Sequence, residues 1–184
     1  MTKQSLWMWM AGFLVLAATP ALAAEGAHGK GSWEVTLTSD FDQGFSPSVG
    51  YYLADNLALT VQATYSQTEI DVAGATTDVT ETAFGAGLVF NVPTGGPVVP
   101  FVGVSLEYLG QEEDAPGVID DLELSGPAIE VEGGVKFMVN ERSSVNILLS
   151  YLIGTLESTI GGVTGPDADV TDVSLGLGYS LYFH

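Results

Sequence analysis

Residues 49–66 read VGYYLADNLALTVQATYS, and this stretch decides the fold. Apolar residues occupy every second position over residues 49–53 and again over residues 57–65, and Asp55-Asn56 separates the two runs. Successive side chains of a β-strand point to opposite faces, and two alternating runs around a tight polar turn indicate a hairpin. The stretch therefore predicts two antiparallel strands, each with one apolar face.

The same period-two alternation recurs along the whole chain, whereas no window after residue 30 has helical periodicity. Eight apolar rows result: Trp33, Val35, Leu37; Val49, Tyr51, Leu53; Leu57, Leu59, Val61, Ala63, Tyr65; Phe84, Ala86, Leu88, Phe90; Val102, Val104, Leu106, Tyr108; Ile129, Val131, Val135, Phe137, Val139; Val145, Ile147, Leu149, Tyr151, Ile153; Val173, Leu175, Leu177, Tyr179, Leu181, Phe183.

The connections between the rows alternate in length. Those after rows two, four and six are compact (residues 54–56, 93–100 and 140–142), and the first, residues 39–47, is of middling length. Those after rows three, five and seven are longer and polar (residues 67–78, 110–126 and 157–169). Short turns at one end and long loops at the other are typical of transmembrane barrels. We therefore expect an all-β fold, an up-and-down transmembrane β-barrel of eight antiparallel strands.

The N-terminus has the features of a cleavable export signal. Lys3 is followed by an uninterrupted apolar run over residues 6–18, and Ala21-Leu22-Ala23 has the small-x-small pattern of a signal-peptidase site. The run is shorter than the roughly 20 residues of a membrane-spanning helix. We expect a signal peptide at residues 1–23 and a single domain at residues 24–184, with Ala24 as a second cleavage boundary.

Alternation alone does not show whether the apolar face points outward or into the barrel. A lipocalin has its apolar row inside, and Gly31-Ser32-Trp33 matches the short G-x-W signature of that class. However, no row contains a charged residue, and the opposite face consists mainly of Gly, Ala, Ser, Thr and Gln, which suit a narrow lumen. Aromatic residues recur near the row ends, as in the girdles of membrane barrels. These features favour apolar rows that face lipid.

Composition limits the chemistry. The formal net charge is −19 and there is no cysteine, so we expect no nucleic-acid partner, no disulfide and no thiolate metal site. His28 and His184 are the two histidines, and neither falls within an apolar row, so a hydrolytic triad is not expected. We predict no catalytic residues and no cofactor.

The polar face has its own charged residues, and four of them, Glu81, Glu107, Glu130 and Glu132, are predicted to form an acidic cluster in the outer lumen. A symmetric third loop would place Glu107 opposite Glu130, where like charges destabilise a sheet unless a proton, a cation or water relieves them. Such a lumen would favour cations if it conducts, whereas eight strands can also leave the interior plugged. Lys136 lies lower in the same strand and is predicted to pair with Glu34.

The long connections are also acidic. Their carboxylates are Glu112, Glu113, Asp114, Asp120, Asp121 and Glu123 in one loop and Asp167, Asp169 and Asp172 in the next. Carboxylates are ligands for Ca²⁺ and Mg²⁺, which would bridge to lipopolysaccharide phosphates. The alternative is a solvated acidic loop, and the EF-hand pattern is absent. Divalent cations therefore enter as candidate partners.

Residues 178–183, GYSLYF, resemble the C-terminal signal by which outer-membrane barrels are recognised for assembly, although His184 follows the aromatic Phe183. Residues 50–59 also resemble the strand–turn–strand of small outer-membrane barrels of the OmpX, OmpW and opacity-type porin families. The resemblance implies a Gram-negative outer-membrane location, with lipids, lipopolysaccharide and the barrel-assembly machinery as partners. It does not select one activity. A structural or interaction role is expected first, a narrow porin-like channel second and a lipid-modifying enzyme third.

Overall fold

The computed structural model describes residues 27–40, 44–72, 75–114, 122–160 and 162–184. These residues form nine β-strands: β1 (Trp33–Asp40), β2 (Gly44–Ala54), β3 (Leu57–Val72), β4 (Ala75–Asn91), β5 (Val98–Asp114), β6 (Leu122–Asn140), β7 (Ser143–Ile160), β8 (Val163–Thr164) and β9 (Ala168–Phe183). The predicted signal peptide lies outside the described residues.

Eight of the described strands, β1–β7 and β9, close into one antiparallel barrel, as predicted. Each strand pairs with the next along the chain, and β1 pairs with β9 from Trp33↔Phe183 to Asp40↔Gly176. Asp55 and Asn56 form the predicted two-residue turn between β2 and β3, and Asn56 has φ 65°. Asparagine tolerates this left-handed conformation, which tight hairpins require.

The predicted extents of the long connections were wrong. β3 and β4 pair continuously to Val72↔Ala75, and β5 and β6 pair out to Glu113↔Leu122. The two-residue β8 extends the ladder of β7 at Ile160↔Val163. The alternation of apolar residues ends before the strands do, because backbone pairing does not require apolar side chains. The strands thus continue beyond the apolar rows.

The apolar rows point away from the barrel interior. In β5, Leu106 is 68% exposed whereas its neighbour Glu107 is 8% exposed. The aromatic residues noted at the row ends are also exposed, among them Phe84 and Tyr108. The lipocalin alternative requires the opposite arrangement and is therefore wrong. A continuous apolar belt surrounds a polar lumen.

Glycine creates the space that lumen side chains occupy. A Cβ added at Gly85 would lie 2.8 Å from Cγ of Glu107, the residue opposite it on β5. Glycine at this position therefore lets the Glu107 side chain lie across β4.

Within the described residues, no helix is long and apolar enough to cross a membrane.

Candidate functional site

The lumen at the short-turn end is closed by buried polar side chains. Lys136 Nζ donates to both carboxylate oxygens of Glu34, at 2.7 and 2.8 Å, which confirms the predicted pair. Tyr52 OH donates to Glu34 Oε2 at 2.7 Å, and Tyr182 OH donates to Oε1 at 3.3 Å. Asn91 Nδ2 donates to Tyr52 OH at 2.9 Å. We call these five residues the closing network.

Each member reaches the lumen because its position is out of phase with the apolar rows. Tyr52 lies between two outward residues of β2, and Tyr182 lies between two outward residues of β9. Both tyrosines are almost completely buried, at 0% and 1% exposure. Lys136 on β6 faces Glu34 on β1 across the interior, three strands away around the barrel. The network therefore connects opposite walls of the barrel.

Further hydrogen bonds continue this layer around the wall. Ser144 Oγ lies 2.9 Å from Tyr182 OH and donates to Asn146 Oδ1 at 2.7 Å. Asn146 Nδ2 donates to Ser180 Oγ, which lies 2.7 Å from Thr36 Oγ1. Because buried polar groups are costly when unpaired, this degree of pairing makes the layer rigid.

Apolar contacts complete the closure on the side of the short turns. Ala27, Val99, Met138 and Tyr182 form a buried apolar cluster there. Lys136 Nζ also lies 5.3 Å from the centre of the Phe101 ring, within the range of a cation–π interaction. The base of the lumen is thus filled by side chains, as the narrow interior of an eight-stranded barrel allows.

Toward the long connections, the lumen holds a cavity of about 140 Å³. The carboxylates of Glu107, Glu130, Glu132 and Asp172 line it in addition to the paired Glu34 and Lys136. Hydroxyl-bearing and small side chains from the other strands make up much of the remaining wall. With Glu34 neutralised by Lys136, the cavity has an excess of negative charge.

The structure brings together most of the predicted acidic cluster but changes its register. Glu107 pairs with Ala128, and Glu130 pairs with Ser105, so the predicted direct opposition of Glu107 and Glu130 was wrong. The hairpin is two residues out of the assumed symmetric register. Gln62 Nε2 nevertheless donates to both Glu107 Oε1 and Glu130 Oε2. The two carboxylates are diagonal neighbours that share a donor.

Glu132 and Glu81 lie on either side of this pair. Glu132 is opposite Gly103, lower in the cavity, and contributes to its lining. Glu81 pairs with Ser66 and Gln111 near the outer ends of the strands and does not contribute to the lining. The predicted four-residue cluster therefore consists of three residues in the cavity and one beyond it.

The acidic connections are described only in part. Glu112 is directly opposite Glu123 in the β5–β6 ladder, and Thr155 Oγ1 donates to Asp169 Oδ1 at 3.2 Å. Asp120 and Asp121 lie outside the described residues. Among the residues that the structure does describe, no group of three or more carboxylate or histidine side chains is arranged to hold a metal ion.

Sequence reasoning missed the tyrosines of the closing network and the environment of the histidines. The signal for Tyr52 and Tyr182 was available, since each is an aromatic residue on an otherwise small and polar face. His184 Nδ1 lies 2.9 Å from Ser32 Oγ, a serine–histidine contact that spacing alone did not indicate. Ser32 is only 2% exposed, so its hydroxyl is inaccessible to an ester substrate. The contact joins His184 to the residue that precedes β1.

Three solved outer-membrane barrels are similar to this chain. The N-terminal β-barrel domain of Pseudomonas aeruginosa OprF has a TM-score of 0.62 and 17% identity, over 84% of this chain and 99% of that one. OprG from the same organism has a TM-score of 0.60 and 18% identity, over 85% and 98% of the two chains. Neisserial surface protein A has a TM-score of 0.58 and 21% identity, over 83% and 94%. No curated protein sequence matches the chain significantly.

A family profile covers almost the whole sequence. The profile of the outer membrane protein beta-barrel domain matches residues 10–180. The closed barrel, its outward apolar belt and its polar lumen agree with that match. The chain therefore belongs to the outer membrane protein beta-barrel domain family, and its location is the outer membrane of a Gram-negative bacterium.

Proposed function

We propose that this barrel has a structural and interaction role in the outer membrane and does not form an open channel. The observation that carries the proposal is the buried ion pair between Lys136 and Glu34, enclosed by Tyr52 and Tyr182. Ions crossing the lumen would have to displace these side chains, and the cost of separating a buried pair is several kcal/mol. The outer strand ends and acidic connections then provide the surface for interactions.

Planar-bilayer recording tests this proposal. Protein purified from outer membranes is expected to show no resolved conductance steps. A variant with Glu34→Ala, Lys136→Ala, Tyr52→Ala and Tyr182→Ala, which removes the ion pair and both rings, is expected to conduct, which verifies that insertion was productive. Heat-modifiable gel mobility checks that each preparation is folded. Stable conductance steps in the unmodified protein would contradict the proposal.

A narrow cation pathway is the second candidate function, supported by the negative lining of the outer cavity. Glu107 and Glu130 share the Gln62 amide donor, and Glu132 and Asp172 add negative charge nearby. If the barrel conducts, this lining favours cations. Chloride preference in bilayer recordings, or selectivity unchanged by Glu107→Gln combined with Glu130→Gln, would exclude it. A lipid-modifying activity has no comparable support, because Ser32 is buried beside His184.

The remaining proposals concern processing and partners. Removal of residues 1–23 as a signal peptide, with Ala24 as the other boundary, is tested by N-terminal sequencing of protein from outer membranes.

Recognition of β9 by the barrel-assembly machinery is tested by Phe183→Ala, which should reduce the amount of folded barrel. Binding of divalent cations at the acidic connections, with bridging to lipopolysaccharide, predicts a higher melting temperature at millimolar calcium. An unchanged melting temperature would exclude that site.

A further inference from the structure

Residues 27–32, which precede β1, lie across the short-turn end of the barrel. The backbone N–H of Asn56 donates to the carbonyl of His28 at 2.7 Å. Gly31 N–H donates to the carbonyl of Tyr52, and Tyr52 N–H donates to the carbonyl of Ser32, both at 2.9 Å. We call residues 27–32 the periplasmic lid, because they cover the closing network on the side of the short turns, which is the periplasmic side of outer-membrane barrels.

The lid places His28 in a pocket made by two tyrosines. The His28 ring centre lies 5.6 Å from that of Tyr52 and 5.2 Å from that of Tyr182, the latter in an edge-to-face arrangement. His28 is 5% exposed, and the adjacent Ala27 is 1% exposed. His28 Nε2 is buried without a hydrogen-bond partner in the described structure. A titratable ring is therefore the part of the lid that is inserted into the barrel.

The charges around His28 come from several elements. Lys136 on β6 and Glu34 on β1 form the ion pair above it, and Tyr52 on β2 and Tyr182 on β9 contact the ring. At the edges of the lid, Asp55 Oδ1 accepts from Lys30 N–H at 2.9 Å, and His184 contacts Ser32. Burial, and secondarily the positive charge of Lys136, lower the pKa of His28 to about 4, although Glu34 opposes this.

We propose that the periplasmic lid is an acid-sensitive latch, which is closed while the His28 ring is neutral and is released when that ring gains a proton. A charged imidazole between two buried aromatic rings and close to Lys136 would lose its hydration, and its Nε2 has no hydrogen-bond partner in the closed lid. Release would expose Ala27 and the inner side of Tyr52 and Tyr182 while leaving the barrel wall intact. The latch is independent of whether the barrel conducts.

The sign of the effect follows from proton linkage. The His28 pKa is lower in the closed lid than the value near 6.5 of a solvated imidazole, so the open lid binds the proton more tightly. The closed state is fully favoured above pH 6.5 and loses its advantage as the pH falls toward 4. Between pH 7.5 and 4.5, the closed-to-open ratio should fall by roughly 70-fold.

Hydrogen exchange measured by NMR on protein purified from outer membranes tests the latch. The Asn56 amide donates to the lid itself, so its protection factor, corrected for intrinsic exchange, should fall roughly 70-fold from pH 7.5 to 4.5. The Val92 amide, which donates to the Pro100 carbonyl at the same end of the barrel, should keep its protection. Equal loss at both amides would indicate general unfolding and overturn the proposal.

Variants separate His28 from other acid-sensitive groups. His28→Phe keeps an aromatic ring without a titrating nitrogen, and its Asn56 protection should be the same at both pH values. His28→Gln serves the same purpose if the phenylalanine variant does not fold. His184→Gln and Asp55→Asn should retain the wild-type pH response. Persistence of the response in both His28 variants, or its loss in His184→Gln or Asp55→Asn, would overturn the proposal.

Discussion

Replacing Lys136 with methionine should destabilise the barrel strongly. The change keeps much of the side-chain volume but leaves the Glu34 carboxylate buried, with hydroxyl donors in place of an ammonium group. Two unit charges 2.7 Å apart interact by about 6 kcal/mol at an effective dielectric constant of 20. Most of that energy offsets the desolvation of the two ions, so the pair itself contributes little net stability.

The magnitude follows from what remains after substitution. Removing one partner of a buried ion pair costs about 3–5 kcal/mol, because the other charge is left uncompensated. Glu34→Gln should lower the free energy of unfolding by a similar amount, because it leaves the charge of Lys136 buried, at 4% exposure, without its partner. The double variant removes both charges and should be less destabilised than the sum of the single variants by about 3 kcal/mol or more.

Urea unfolding in lipid vesicles, followed by heat-modifiable gel mobility, measures this cycle. With an m-value of about 2 kcal/mol/M, each single variant should lower the unfolding midpoint by about 2 M. Arg142→Met is the control, because it removes an exposed positive charge at the same end and should leave the midpoint within experimental error. Additive losses in the double variant would refute the conclusion that the two charges form one coupled pair.

Three further predictions concern packing, the lipid-facing surface and acid sensitivity. Gly154→Val should lower the free energy of unfolding by about 1–3 kcal/mol, because a Cβ there would lie 2.7 Å from both the Ala128 Cβ and the Pro127 carbonyl oxygen. Gly96→Ala should be neutral, because a Cβ at that position has no atom within 4 Å. Leu106→Lys, in the apolar belt, should lower the free energy of unfolding in vesicles by about 2–4 kcal/mol. Val163→Lys, at an equally exposed residue of β8, should lower it little. NMR titration should give His28 a pKa of about 4, with the stability from its neutral ring present above pH 6.5 and lost between pH 6.5 and 4.

Each of these predictions has a contradicting outcome. Equal midpoints for the Gly154 and Gly96 variants would remove the steric argument. Equal costs at Leu106 and Val163 would mean that the two surfaces share one environment. A His28 pKa near 6.5 would mean that the ring is solvated and the lid open.

The sequence was sufficient for the barrel because its alternation is a direct consequence of strand geometry. An apolar side chain at every second position specifies two faces, and the absence of charge in those rows indicated which face meets lipid. Strand ends were less predictable. Beyond the apolar rows, Thr77 and Thr159 remain in paired strands, since the ladder depends on backbone groups and not on side-chain hydropathy.

The part of the site that involves the single cation of the lumen face was predictable from the sequence. The part that neutral residues form was less predictable. Lys136 is a single cation on the predicted lumen face, which made Glu34 a natural partner. The register of Glu107 and Glu130 is set by the pairing of β5 with β6, and the symmetry of the sequence was a poor guide to that pairing. The burial of His28 depends on a backbone path before β1 that has no periodic signal.

Oxygen accessibility tests directly whether the apolar rows face lipid and the small polar face lines the lumen. Because the chain lacks cysteine, single cysteines along residues 102–108 of β5 can each be spin-labelled without background. Membrane-soluble oxygen should relax the labels at Val102, Val104, Leu106 and Tyr108 and relax those at the intervening positions much less. An alternation of the opposite phase, or none, would contradict the account.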